Sequence, residues 1–245
     1  MPLLVAWTFL TALPIHMWRA PSLEERGAAV AWYPAVGFAL GGLLTLMDYG
    51  LQHTALSAFV VAVLLVATLA LLTGFLHLDG LIDTCDAAFA HRPQEERLRI
   101  ARDPRAGAFG VVGVVLLLLL KVSPLAGSLG SDRAAVLVCF PALARCVMAA
   151  AVVILPSARG AEGMGGSVKA YARPRVLGIA AASALIPTIV LLRWHALVLC
   201  AGAVIGGACV AIFALRRLGG TTGDVYGAIC ECAEIGALLA VALMA

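Results

Sequence analysis

Apolar runs, each close to the roughly 20 residues that cross a bilayer as a helix, alternate with short polar segments along the chain. Seven spans are predicted, at 27–47, 55–76, 106–130, 134–155, 176–192, 196–215 and 225–244. An eighth apolar stretch, 2–17, is short and interrupted by Pro14. It is compatible with lying at the interface, entering partway or crossing. No basic residue precedes Arg19, so the charged start of a cleaved signal is missing. Glycines recur inside spans, as Gly37, Gly41 and Gly42 and as Gly202, Gly206 and Gly207. Small residues at such spacings let membrane helices approach closely. The predicted fold class is all-α, a polytopic membrane helix bundle forming one integral-membrane domain over 1–245.

Composition agrees with the pattern. Of 245 residues, 62% are hydrophobic and 13% charged, whereas a soluble domain is about one quarter charged. A soluble fold of this length has too little interior for so much apolar surface. The seven cysteines form no CxxC pair, and most lie in apolar stretches. They read as small apolar filler rather than a metal or disulfide framework.

The polar segments alternate between two sides. One side holds 18–26, 77–105, 156–175 and 216–224; the other holds 48–54, 131–133 and 193–195. Of 17 Lys and Arg, the second side takes only Arg133 and Arg193, Lys121 and Arg145 fall inside spans, and all the rest lie on the first side. By the positive-inside rule that first side faces the cytoplasm.

The same side carries the candidate chemistry. Asp79, Asp83 and Asp86 are spaced i, i+4, i+7, one face of a helix. Their neighbours are mostly apolar, so the helix of the second span is expected to continue through them. Three like charges on one stripe stay ionised together only around something positive. A divalent cation is the usual answer, and oxygen ligands suit Mg²⁺ or Mn²⁺. The bland reading, a solvated acidic face, fits poorly in a chain with only 14 acidic residues. Arg102, Asp103, Pro104, Arg105, Ala106 and Gly107 follow. Paired arginines grip phosphate oxygens, and a glycine-led helix start offers backbone amides to a phosphate. Asp103 is a further metal-ligand candidate. A second constellation runs Gly219, Gly220, Thr221, Thr222, Gly223, Asp224, then Glu231 and Glu234. The three acids share one helix face, and at about 1.5 Å per residue the glutamates lie roughly 10 and 15 Å beyond Asp224, inside the membrane. A carboxylate there costs about 2.5 kcal/mol or more. Arg145, in the middle of the fourth span, needs an anion, either one of these carboxylates or a substrate phosphate. Lys121 is placed to snorkel to the far surface and is given no role. His77 is open as metal ligand, general base or neither. The segment 159–175 is glycine-rich and basic, equally a closing loop or a linker. Together these features suit phosphoryl transfer on a metal-bound pyrophosphate.

Three stretches carry a resemblance: Phe75-Leu76-His77-Leu78-Asp79-Gly80-Leu81-Ile82-Asp83-Thr84-Cys85-Asp86, then Arg102-Asp103-Pro104-Arg105-Ala106-Gly107, then Gly219-Gly220-Thr221-Thr222-Gly223-Asp224-Val225-Tyr226-Gly227-Ala228 with the acids after it. In order and spacing they resemble the cobalamin synthase family, the adenosylcobinamide-GDP ribazoletransferases. Ala87, Pro104 and Tyr226 stand where that family more often has Gly, Ser and Leu; no charged motif residue is lost. The resemblance implies a Mg²⁺-dependent transferase of the last steps of cobalamin biosynthesis, in a bacterial inner membrane with its site toward the cytoplasm. It would join adenosylcobinamide-GDP to α-ribazole or its 5′-phosphate and release GMP. Asp79, Asp83, Asp86, Asp103 and Asp224 are then the expected metal ligands. Asp83, His77, Arg105 and Arg145 are the expected catalytic residues. Arg102, Gly107, Gly220, Thr222, Gly223, Glu231 and Glu234 are the expected substrate-binding residues. The expected partners are those small molecules and the lipid bilayer, with no nucleic acid, and a homo-oligomer is left open. The site would be built from 77–110, 156–175 and 216–234.

Two rival readings fit the sequence less well. A CDP-alcohol phosphotransferase also places an Asp stripe on a membrane helix, with the pattern DGxxAR. Here Asp79-Gly80 is followed by Leu81-Ile82-Asp83, without Ala-Arg. A cation transporter lined by Glu231, Glu234 and Arg145 requires polar residues through the full depth of the bilayer, and here they gather toward one side.

Overall fold

A computed structural model describes residues 1–127, 129–160 and 168–244. Among these residues the architecture is helical, the one β-type contact being an isolated bridge between Ser157 and Thr221. The helices are α1 (Pro2–Leu10), α2 (Leu23–Ala29), α3 (Tyr33–Gln52), α4 (Ala58–Leu72), α5 (Leu76–Phe89), α6 (Gln94–Ile100), α7 (Ala108–Ala126), α8 (Arg133–Ile154), α9 (Pro174–Leu192), α10 (His195–Leu218) and α11 (Gly223–Ala242). A 3₁₀ turn, Val30–Trp32, joins α2 to α3, so that Leu23–Gln52 is one crossing segment. Six helical segments are long and apolar enough to span a membrane, and α4 with α5 adds a seventh if that bent pair is taken as one crossing. The chain is therefore a multi-pass membrane protein whose six long helical segments match six of the seven predicted spans.

The second span departs from expectation. Its helix does not run on into the acidic stripe, because α4 ends at Leu72 and α5 leaves at 90° to it. The break is made by Gly74 and Phe75, with φ of +57° and +60°. Glycine takes that left-handed region freely and phenylalanine does not. The Thr73 hydroxyl closes the end of α4 by donating to the carbonyls of Leu69 (3.0 Å) and Ala70 (3.1 Å). The turned helix then lies across the ends of three others. It meets α11 at Asp224 and α7 at Gly107 and Gly110, and its Phe89 ring packs on Phe109 of α7 and Phe213 of α10. The acidic stripe thus caps the arginine-rich end of the bundle instead of extending a span.

The N-terminal stretch is settled as a helix of nine residues, about 13 Å long and too short to cross. The Ala12 amide donates to the Leu72 carbonyl at 2.8 Å, pinning the chain after α1 to the end of α4. Close helix crossings fall at the expected glycines, with one exception. Gly37 and Gly41 face the backbone of α8, and Gly202 and Gly206 that of α11, but Gly42 faces open space. At the arginine-poor end, Arg133 holds Asp48 with two hydrogen bonds of 2.7 and 2.9 Å, tying α8 to α3, and donates to the Leu125 carbonyl of α7. All seven cysteines are free thiols.

Candidate active site

The acidic groups predicted as one metal set divide into three. The first is an exposed-to-half-buried group, Asp79 and Asp83 on α5 with Asp224 at the start of α11. Two close contacts bring these helices together. A Cβ on Gly80 would sit 2.7 Å from the Asp224 carbonyl oxygen and 3.0 Å from its Cα, and one on Gly227 would sit 3.1 Å from His77 Cα. Glycine at both positions is what lets the two acidic faces meet. Burial pushes the Asp83 carboxyl up to about 6, helped by Asp224, Asp79 and Asp86 and opposed by Arg159. Gly223 beside Asp224 is open, with no atom of the described residues near a Cβ built there.

The second group is Asp86, which is buried. Its carboxylate oxygens accept from the Gly107 amide (2.7 Å) and the Gly110 amide (2.9 Å) at the start of α7. Sequence reasoning left those amides to a phosphate; the structure gives them to Asp86. Gly107 and Gly110 are small because Asp86 and Ile82 occupy the space a side chain would need. The third is Asp103, in an exposed loop, where it accepts from Arg105 Nε (3.0 Å) and Nη2 (2.8 Å). Arg105 holds that carboxyl down at about 2. The expected set of five aspartates therefore does not converge, and among the described residues no three His, Cys, Asp or Glu side chains are grouped to hold a metal ion. The remaining possibility is the magnesium habit of taking one or two carboxylates and completing its shell with substrate phosphates and water. The Asp83–Asp224 pair, with Asp79 beside it, fits that habit, because its mutual repulsion calls for a cation.

Glu231 and Glu234 are buried deep in α11. Lys121 Nζ donates to Glu231 Oε2 (2.5 Å) and to Glu234 Oε2 (2.6 Å), and Arg145 Nη1 donates to the other Glu234 oxygen. Two cations and two anions make a closed, formally neutral set. Of the two anions open to Arg145, the structure supplies the carboxylate. The reading of Lys121 is corrected outright. It is 3% exposed and does not snorkel to the far surface. Helical side chains lean toward the N-terminus of their helix, so Lys121 reaches back toward the arginine-rich end. A buried, partnerless lysine is costly enough that its position in a span was itself the missed signal.

His77 joins this set to the acids. It is buried, its Nδ1 lies 3.4 Å from Arg145 Nη2, and its Nε2 has no partner among the described residues. It lines a cavity of about 100 Å³ together with Asp79, Gly223 and Asp224.

The glycine-rich turn before α11 has a structural account. Gly219 adopts φ of +74° to end α10. Gly220 packs against the backbone of 156–158, where the Thr221 amide donates to the Pro156 carbonyl (2.8 Å) and the Ala158 amide to the Thr221 carbonyl (2.9 Å). Thr222 caps α11, accepting from the Val225 amide (3.4 Å) and donating to Asp224 Oδ2 (3.1 Å). Sequence reasoning also passed over Arg159. It donates to the Leu98 carbonyl at 3.0 Å, and its charge acts on Asp83 and Asp224 with Arg102 close by. It belongs to the glycine-rich, basic segment 159–175, of which 161–167 lies outside the described residues.

A family model described as Cobalamin-5-phosphate synthase matches residues 2–242. The chain is similar to the Adenosylcobinamide-GDP ribazoletransferase of Ectopseudomonas mendocina (strain ymp), 40% identical with 98% of this chain and 97% of that one covered. It is 38% identical to the enzyme of the same name from Stutzerimonas stutzeri (strain A1501), with 99% and 98% covered. It is 40% identical to that of Alkalilimnicola ehrlichii, with 97% and 93% covered. No solved structure matches.

Proposed function

Because the chain belongs to the cobalamin-5-phosphate synthase family, we propose that it is the membrane transferase that joins adenosylcobinamide-GDP to α-ribazole or its 5′-phosphate. The products are adenosylcobalamin, or its 5′-phosphate, and GMP. The observation that carries this reading is the meeting of Asp79 and Asp83 with Asp224 under Arg102 and Arg159, at the arginine-rich end of a membrane bundle. That end faces the cytoplasm of the bacterial inner membrane under the positive-inside rule. A ribose hydroxyl of the nucleoside attacks the phosphorus that bears the cobinamide. A new P–O bond forms, the bond to GMP breaks, and the hydroxyl proton passes to a carboxylate of the Asp79, Asp83 and Asp224 group. Asp83 and Asp224 would hold Mg²⁺, which when bound neutralises charge on the pyrophosphate. Arg102 and Arg159 would stabilise the charge that gathers on the leaving phosphate.

Neither rival is favoured. The intramembrane charges Lys121, Arg145, Glu231 and Glu234 close on one another, and the family match runs along nearly the whole chain. The test is turnover by purified protein in lipid or detergent, with adenosylcobinamide-GDP, α-ribazole and Mg²⁺, with and without EDTA. Metal-dependent appearance of GMP together with the joined corrinoid is expected. A folded sample that makes neither would overturn the reading.

A further inference from the structure

The cavity beside the acids has two unlike walls. Phe9 of α1, Tyr33 of α3 and Met148 and Val152 of α8 form an apolar side, while His77 and Asp79 of α5 stand on a polar one. The Phe9 and Tyr33 rings lie nearly parallel, 21° apart in orientation with centroids at 6.1 Å. Past these two rings the cavity adjoins a second of about 270 Å³, also mainly apolar. Phe9, Tyr33 and Val168 line both cavities.

The polar wall contains an unmet donor. Arg145 Nη2 lies 3.4 Å from His77 Nδ1, and a guanidinium only donates. A hydrogen bond at this contact makes His77 Nδ1 the acceptor and assigns the ring proton to Nε2. That nitrogen is buried and has no partner among the described residues, a state rarely kept without a reason. An oxygen of a bound molecule would satisfy it. The required ligand is thus planar and apolar at one end and hydroxylic at the other.

We propose that this cavity is the subsite for the accepting nucleoside, with the aromatic base of α-ribazole against Phe9 and Tyr33 and a ribose oxygen accepting from His77 Nε2–H. The assignment rests on the function proposed above and adds the place of the second substrate. It makes His77 a neutral hydrogen-bond donor and leaves proton removal to the carboxylates.

The test measures the two substrates separately. In Phe9→Ala the KM for α-ribazole should rise about 10-fold, the worth of part of a buried aromatic ring, while that for adenosylcobinamide-GDP stays within about twofold. A rise confined to adenosylcobinamide-GDP, or no rise for either, overturns the proposal. Calorimetric binding of α-ribazole alone separates this proposal from the function. Binding by wild type that weakens in Phe9→Ala supports the subsite whether or not turnover is seen, and equal or absent binding in both proteins overturns it. His77→Gln, which keeps an N–H donor, should retain more affinity for α-ribazole than His77→Ala; equal loss in both removes the hydrogen bond from the proposal.

Discussion

Replacing Asp83 by asparagine should abolish turnover and make the metal-free protein more stable. The carboxyl is pushed from its ordinary 3.8 up to about 6, first by burial and then by Asp224, Asp79 and Asp86. Such a change at full strength is worth about 3 kcal/mol. The group is half-buried and still reached by solvent, and screening reduces the figure to about 1 kcal/mol. The sign follows from linkage. The folded state holds this proton more tightly than the unfolded chain, so the contribution is fully present below about pH 4 and is lost as pH rises through about 6. Near neutral pH the ionised carboxylate is therefore a net cost, which asparagine removes. For a chain of this length about 1 kcal/mol moves Tm by roughly 2–4 °C. Thermal unfolding in detergent with EDTA, near neutral pH and again near pH 4, reads this directly. Asp83→Asn should unfold at higher temperature than wild type near neutral pH and at the same temperature near pH 4. Added Mg²⁺ should raise Tm of wild type and leave the variant nearly unchanged, since a cation relieves repulsion that the variant lacks. A variant less stable than wild type near neutral pH, or an equal response to Mg²⁺, would refute the reasoning.

Three further outcomes follow from the same geometry. Lys121→Met strands Glu231 in the bundle and should cost about 3–5 kcal/mol, seen as a lower Tm, with much of the loss recovered in Lys121→Met/Glu231→Gln; no recovery would mean that the lysine acts by packing. Gly80→Ala puts a Cβ 2.7 Å from the Asp224 carbonyl oxygen, which forces α5 and α11 apart and should lower kcat about 100-fold in a protein that still folds. Asp86→Asn keeps one acceptor for the α7 amides and loses the other, so Tm should fall by the equivalent of about 1–2 kcal/mol. The Mg²⁺ concentration for half-maximal turnover should not change, and a rise in it would return Asp86 to the metal site.

Much was legible because bilayer chemistry is one-dimensional. A helix that crosses lipid must satisfy its own backbone and show the lipid an apolar surface, so Pro174–Leu192 and His195–Leu218 are written in the chain almost to the residue. The arginine bias and the grouping of Asp79, Asp83 and Asp224 on one side are likewise properties of order along the chain. The break after Leu72 was harder to read, because Phe75 and Leu76 continue the apolar run and only Gly74 marks the turn. Which acid does what was not legible. Asp79, Asp83 and Asp86 share one helical stripe, yet α7 takes Asp86 as its cap and leaves the other two to face α11. The pairing of Lys121 with Glu231 and Glu234 spans over 100 residues of sequence, and no local pattern announces it. Composition and period determined that this chain is a membrane bundle with an acidic, arginine-rich end. Only the packing of α5 across α7 and α11 decided which charges satisfy each other and which are left for a substrate, because side chains far apart in sequence acquire partners only when their helices meet.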